Sequence, residues 1–309
     1  MRIPTFLDPN VGDVQMTSAL LLQILATGSS QNTWIVNSAT GNDNNSGQAV
    51  DEAFKSISEA ASRVQAGGTI YIQGSFNEAV NIAQPGVSLI GAGSTSNRAL
   101  WTAPDTVAPC LTVSAAADVV ASNLRFRPPL GNSAISLVGA SNQFLLDGCR
   151  IQGKTGSYNG ILTDGGQSNV KLTDNEFFYI NTAATHGHAI LGSGYVTAEP
   201  VGWIIEGNIF SSNTYHIVCR MSRSTIINNV FAGIGLTAVP SSAAPSMGID
   251  ISGATVSGAG CNIVSKNVLG GAYTTALYVS GTNDDWTGNY SLSNAGTCVN
   301  GITLAVPTT

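Results

Sequence analysis

The chain has 309 residues, of which 43% are apolar and only 10% charged, with 35 glycines and a net charge of −6. A typical soluble domain is roughly 25% charged, so long helices with charged outer faces are disfavoured and short strands punctuated by turns are favoured. The 12 basic residues are scattered, without the cluster that tracks a phosphate backbone, so nucleic acid is excluded as a partner.

The first element in chain order is an apolar segment at residues 13–26, with Ser18 to Ala26 reading SALLLQILA. Asp8 and Asp13 precede it, Arg2 is the only side-chain cation there, and Gln23 interrupts it. A secretory signal has a basic n-region and a small-residue cleavage site, and a membrane span is far longer; no membrane insertion is expected. The segment reads as a short apolar helix, buried either against a partner in a larger assembly or against its own domain. Residues 1–30 are therefore assigned as an anchor or assembly segment.

Next comes Trp34-Ile35-Val36-Asn37, then an Asn/Asp/Gly-rich loop at residues 41–47 and a helix from about 51 to 65 with Phe54, Ile57, Ala61 and Val64 on one face. Gly67-Gly68-Thr69-Ile70-Tyr71-Ile72 and Val87-Ser88-Leu89-Ile90-Gly91 come after it as strands. Residues 31–95 thus resemble the entry module of many proteins of the pectin-lyase-like superfamily, in which such a helix would plug the open end of the downstream strands and protect their edge.

From about residue 110 two short elements alternate. One is an apolar strand, a turn residue (usually Asn) and a second apolar pair, as in Val119–Phe126, Leu145–Ile151 with Gly148 in the Asn place, Ile204–Phe210 and Thr225–Phe231, and around Asn175, Asn267 and Asn289. The other is a small residue and an alternating strand, anchored by Leu111, Ile135, Ile161, Ile190, Ile217, Ile249, Leu277 and Ile302 at intervals of 24, 26, 29, 27, 32, 28 and 25 residues. A strand-type period in the twenties signals a solenoid: no coil buries its own apolar face, and stacking equivalent strands about 4.8 Å apart builds one core. Asn suits the turn because it tolerates left-handed backbone and ladders with its own kind.

On these residues the chain resembles the pectin-lyase-like superfamily over roughly residues 33–305. The resemblance implies an all-β, right-handed parallel β-helix of about eight or nine coils, occupying residues 96–309 beyond the entry module. It leaves function open, since lyases, hydrolases, adhesins and phage tailspikes share the fold.

Candidate chemistry is set by stacking. Asp147 and Asp174, each taken as one before the turn residue in adjacent coils, are expected about 5 Å apart with Glu206 nearby. Such carboxylates are either catalytic acids of a glycosidase or solvated turn residues. Arg125 and Arg150 share a slot and either hold an acidic sugar or balance neighbouring acids. Tyr195, Trp203, Asp284, Asp285 and Trp286 combine acids with aromatics and are candidates for glycan contact; for Trp203 and Trp286 the competing expectation is core packing. His186 and His188 point the same way on a strand but as a pair lack identified further zinc ligands; His216, one coil later near the His188 column, offers a three-histidine site as an alternative. The Asp-paired motif of polygalacturonases and the calcium-binding Asp cluster and catalytic Arg of pectate lyases, members of this fold, are not recognisable. The five cysteines are odd in number and lack metal spacing; they read as buried thiols. No metal or cofactor is expected.

Three functions remain open. One is a bacteriophage virion protein, assembled in the host cytoplasm: a tailspike-like or capsid-attached fibre, homotrimeric as the resemblance implies, joined to other virion proteins through residues 1–30 and binding host-surface polysaccharide. The second is a polysaccharide lyase or glycoside hydrolase using Asp147, Asp174 and Glu206. The third is a cell-surface adhesin.

Overall fold

The computed structural model describes residues 32–94, 97–105, 108–153, 156, 159–180, 187–192, 199–232, 247–251, 261–270, 275–278 and 284–291. The anchor segment 1–30, His186, Tyr195, Cys298 and Ile302 lie outside them.

Among the described residues the strands form three parallel sheets of nine, eight and nine strands, the architecture of a right-handed parallel β-helix. The chain visits the sheets in rotation, one strand from each per coil. In the first sheet Ile70, Leu89, Ala121, Leu146, Leu172, Ile205, Ile226 and Val264 stand in register and point inward. In the second, Phe76, Trp101, Phe126, Ile151, Phe177, Phe210, Phe231 and Leu269 do the same. The Phe177, Phe210 and Phe231 rings stack with centroids 4.8 Å apart, the strand spacing itself. In the third sheet Leu111, Ile135, Ile161, Ile190, Ile217, Ile249 and Leu277 pair one with the next, as the sequence period requires.

The tight turn from the first sheet to the second divides its work between two residues. The left-handed position is filled by Asn123, Gly148, Asp174, Gly207, Asn228, Lys266 and Gly288, with φ between 52° and 72°. The next residue points inward, and at Asn175, Asn208, Asn229, Asn267 and Asn289 it forms a buried amide ladder. From Asn175 to Asn267 each Nδ2 donates to the Oδ1 of the Asn one coil on at 3.0 Å, and that Oδ1 also accepts the backbone N–H of the previous ladder residue. Cys149 enters the same slot, its N–H donating to Asn175 Oδ1 at 2.8 Å. The ladder asparagines therefore carry hydrogen bonds while their neighbours carry the strained backbone, two jobs that the sequence pattern assigns to one residue.

A second ladder, not anticipated from sequence, forms where the chain returns to the first sheet. Trp203 N–H donates to Ser224 Oγ, Ser224 N–H to Asn262 Oδ1 and Asn262 N–H to Asp284 Oδ1 at 2.9–3.0 Å. Earlier coils hold Val87, Val119, Phe144 and Val170 at this corner, all buried.

The entry helix is shorter than expected, spanning Ile57–Arg63 rather than 51–65. Ser56 caps it by accepting Glu59 N–H, and Glu78 from the next coil accepts the Ile57 and Ser58 N–H groups at 2.8 and 2.9 Å. These satisfy donors that a first helical turn leaves orphaned and fix where the helix starts. Phe54 precedes the helix in extended backbone bridged to Val36. Ile57, Ala60 and Val64 are buried, and Ala61 is only partly covered.

Candidate lateral binding face

The outer face on either side of the tight turn collects charge. On the first-sheet side stand Asp147, Lys171, Asp174 and Glu206; on the second-sheet side stand Arg98, Arg125, Arg127, Arg150 and Glu176. These are nine of the chain's 30 charged residues. They face outward because alternate residues of the same strands (Leu146, Leu172, Ile205, Phe126, Ile151, Phe177) fill the core.

The acids are arranged differently from the expectation. Asp147 is in register with Thr173, and Thr173 with Glu206, so Asp147 and Asp174 do not share a slot. Asp174 sits in the left-handed position, and its Oδ1 lies so close over Gly207 that a side chain there would collide with it. The shift comes from the two-residue turn: aligning Asn123 with Asn175 misplaces one coil by a single position. Thr173 Oγ1 donates to Asp147 Oδ1 at 2.6 Å. Asp147 and Glu206 are thus two coils apart, about 9.6 Å along the axis. Even so, Asp147, Lys171, Thr173, Asp174 and Glu206 line one shallow depression of about 420 Å³.

Arg125 and Arg150 do share a slot. Arg150 pairs with Glu176, Nε to Oε2 at 3.2 Å, and lies 5.7 Å from the centre of the Phe178 ring. Arg125 Nη2 donates to Gln152 Oε1 at 2.5 Å. Burial first, then the charges of Arg127 and Arg150, hold the Arg125 pKa below its ordinary value.

Of the aromatic candidates, Trp203 and Trp286 are core residues. Trp203 is fully buried, with its indole N–H donating to Gln167 O at 2.9 Å, and Trp286 is buried within the same core; neither face reaches solvent to stack on a sugar. Asp284 accepts both the N–H and Nδ2 of Asn262 at 2.9 and 3.1 Å and continues the second ladder. Asp285 is exposed and accepts the Thr287 N–H at 2.9 Å. Hydrogen bonds from Thr287 hold its carboxyl below the ordinary range.

His188 is in register with Tyr215, not with His216, and stacks on the Tyr215 ring at 4.9 Å. His216 sits one position further on, wholly buried between Phe210 and Phe231 with Nδ1 3.2 Å from Asn213 Nδ2. Burial pushes its pKa down to about 3, so it is neutral. The three-histidine site is therefore not formed by this pair, and no metal-binding group of His, Cys, Asp or Glu occurs among the described residues. Cys110, Cys149 and Cys219 are buried thiols as expected, whereas Cys261 is exposed. Burial raises the Cys149 and Cys219 pKa values to about 12.

The fold is that of a right-handed parallel β-helix, with this charged strip on its outer face. No protein-family model matches the chain, and no curated protein matches it significantly in sequence. Its likeness is to solved structures. A GH136 lacto-N-biosidase from Eubacterium ramulus superposes with a TM-score of 0.57 at 11% identity, over 91% of this chain and 59% of that one. An alginate lyase from Paenibacillus sp. str. FPU-7 gives 0.51 at 14% identity, over 87% of this chain and 100% of that one. A rhamnogalacturonan lyase gives 0.50 at 12% identity, over 77% and 68%. The chain thus spans less than two thirds of the biosidase, and the likeness carries the fold alone.

Proposed function

We propose that the protein is a glycan-binding β-helix of the bacteriophage virion, a homotrimeric tailspike-like or capsid-attached fibre joined to the particle through residues 1–30. The observation that carries the glycan part is the charged strip. In a chain poor in charge, nine ionic side chains flank one turn on a rigid scaffold, offering fixed donors and acceptors to a long, hydroxyl-rich ligand. The solved structures of similar fold include a lacto-N-biosidase and lyases of alginate and rhamnogalacturonan, consistent with a polysaccharide partner.

Association is supported by the continuation of the arginine column. Beyond Arg125, Arg150 and Glu176 the same outward slot holds Ile209, Val230, Val268 and Tyr290, with Ile209, Val230 and Tyr290 41–46% exposed. Contiguous exposed apolar side chains on a regular sheet suit a second copy of the chain.

The acid depression supports a second reading, a polysaccharide lyase or glycoside hydrolase. The two-coil separation of Asp147 and Glu206 is nearer the roughly 6.5–9.5 Å of inverting hydrolases than the 5 Å of retaining ones. An assay for new reducing ends and unsaturated products on bacterial polysaccharides separates the readings. Product that disappears in an Asp147→Asn, Glu206→Gln variant of unchanged fold overturns the binding-only account. Sedimentation tests the trimer, and particles that incorporate the protein lacking residues 1–30 would refute the anchor.

A further inference from the structure

Half of the chain's eight arginines, Arg98, Arg125, Arg127 and Arg150, meet on the outer face of the second sheet. Phe126 points inward between Arg125 and Arg127, so both guanidiniums are directed outward. Beside them lies a depression of about 430 Å³ whose lining includes Gly74, Gly93, Asn97, Arg98, Leu100 and Arg125.

The charges here are unbalanced. Glu176 pairs with Arg150 at 3.2 Å, and among the described residues no carboxylate pairs with Arg98, Arg125 or Arg127. Arg98 Nε donates to Asn123 Oδ1 at 3.0 Å and Arg125 Nη2 to Gln152 Oε1 at 2.5 Å. Both partners are neutral amides. They fix the two guanidiniums without cancelling their charge, and each guanidinium carries five N–H donors in all. The like charges of Arg127 and Arg150 act on Arg125 from the same face, a cost that a bound anion would offset.

The rest of the lining selects among anions. Gly74 and Gly93, both in the lining, adopt φ of 110° and 111°, and a side chain at either would collide with Ser38 Oγ or the Asn97 carbonyl. Gln73, Ser75 and Asn97 add neutral hydrogen-bonding groups, and Leu100 adds an apolar one. A sugar ring has hydroxyls and a C–H face to match both; a bare inorganic anion uses only the arginines.

We propose that this depression binds the carboxylate of an acidic sugar within a polysaccharide, held by the guanidiniums of Arg98 and Arg125. The assignment rests on the glycan-binding reading of the same strip and names its ligand class. Planar guanidiniums match a carboxylate two bonds at a time, and the affinity falls as salt rises.

The test is affinity electrophoresis of the full chain through gels containing polygalacturonate, alginate, dextran sulfate or neutral dextran, with inorganic phosphate as competitor. The wild type is retarded by the uronate chains. An Arg98→Gln, Arg125→Gln variant of unchanged melting temperature binds them at least about tenfold more weakly, and Arg125→Lys recovers part of the loss. Uronate binding that the double variant retains in full overturns the proposal, as does absence of uronate binding. If neutral dextran still retards the protein, the uronate assignment alone fails; if no glycan does, the glycan reading fails with it. Retention by dextran sulfate alone, abolished by phosphate, would mark a nonspecific anion site and refute the sugar assignment.

Discussion

Replacing Asn229 by Ala probes the ladder at its centre. Asn229 Nδ2 donates to Ile205 O at 2.9 Å and to Asn267 Oδ1 at 3.0 Å, while its Oδ1 accepts Asn208 N–H at 2.9 Å and Asn208 Nδ2 at 3.0 Å. Three of these bonds leave partners that keep other contacts: Asn208 Nδ2 still reaches Leu172 O, Asn267 Oδ1 still accepts the residue 229 N–H, and Ile205 O lies within the sheet. The fourth leaves the buried Asn208 N–H with no acceptor. An orphaned buried N–H costs about 1–3 kcal/mol and each of the three other lost bonds about 0.5–1.5 kcal/mol, so the variant loses roughly 2.5–7.5 kcal/mol. Coils couple only to their neighbours, so the loss is local. Amide hydrogen exchange reads it as reduced protection at residues 208 and 230, with urea unfolding as the global measure. The converse change, Cys149→Asn, extends the ladder by one coil and gains about 1 kcal/mol. An Asn229→Ala variant that loses no more than the outward-facing control Thr225→Ala would refute the role given to the ladder.

The buried His216 gives a pH dependence. Its folded pKa is depressed from 6.5 to about 3, so below 6.5 the unfolded chain binds a proton that the folded chain does not. Stability therefore falls as pH drops, by about 1.4 kcal/mol per unit until pH approaches the folded value; urea midpoints from pH 7 to 4 should show the slope, and His216→Gln should remove it. Thiol labelling at pH 8 should modify Cys261 quickly and leave Cys149 and Cys219 untouched until the protein unfolds, since their burial and raised pKa values suppress the thiolate. Trp203→Ala should cost about 3–5 kcal/mol in stability and leave glycan retention per folded molecule unchanged. Ile209→Asp with Tyr290→Asp should convert the trimer to monomer in sedimentation without altering the circular dichroism.

The coil period was legible because one inward residue per third-sheet strand must recur once per coil, and Leu111 through Ile249 do so in register. The turn was legible only in outline. Asn123 and Asn175 are the same residue type but occupy neighbouring slots, one chosen for left-handed backbone and the other for its buried amide, and nothing in their local sequence separates the two uses. That single-position ambiguity carried into the acids and placed Asp174 where Thr173 stands. The second ladder was hidden because early coils fill its slot with Val, Phe and Trp, turning polar only at Ser224, Asn262 and Asp284. The arginine pair is legible because Arg125 and Arg150 sit on strands of equal register, whereas Arg98 is tied in by its hydrogen bond to Asn123, a contact with no sequence signature. An aromatic at a strand start faces either way, so the sequence leaves Trp203 and Trp286 between glycan contact and core packing; both are buried in the core.

A fluorescent preparation of the full chain, incubated with a panel of purified bacterial surface polysaccharides, tests glycan holding directly when retention and product formation are scored on the same sample. Persistent retention of intact polymer by the wild type, weakened by substitutions along the Arg125 and Asp147 columns, is the expected result. Polymer shortened with multiple turnovers, or a panel that never retains the protein, would contradict a lateral face built to hold glycan without cutting it.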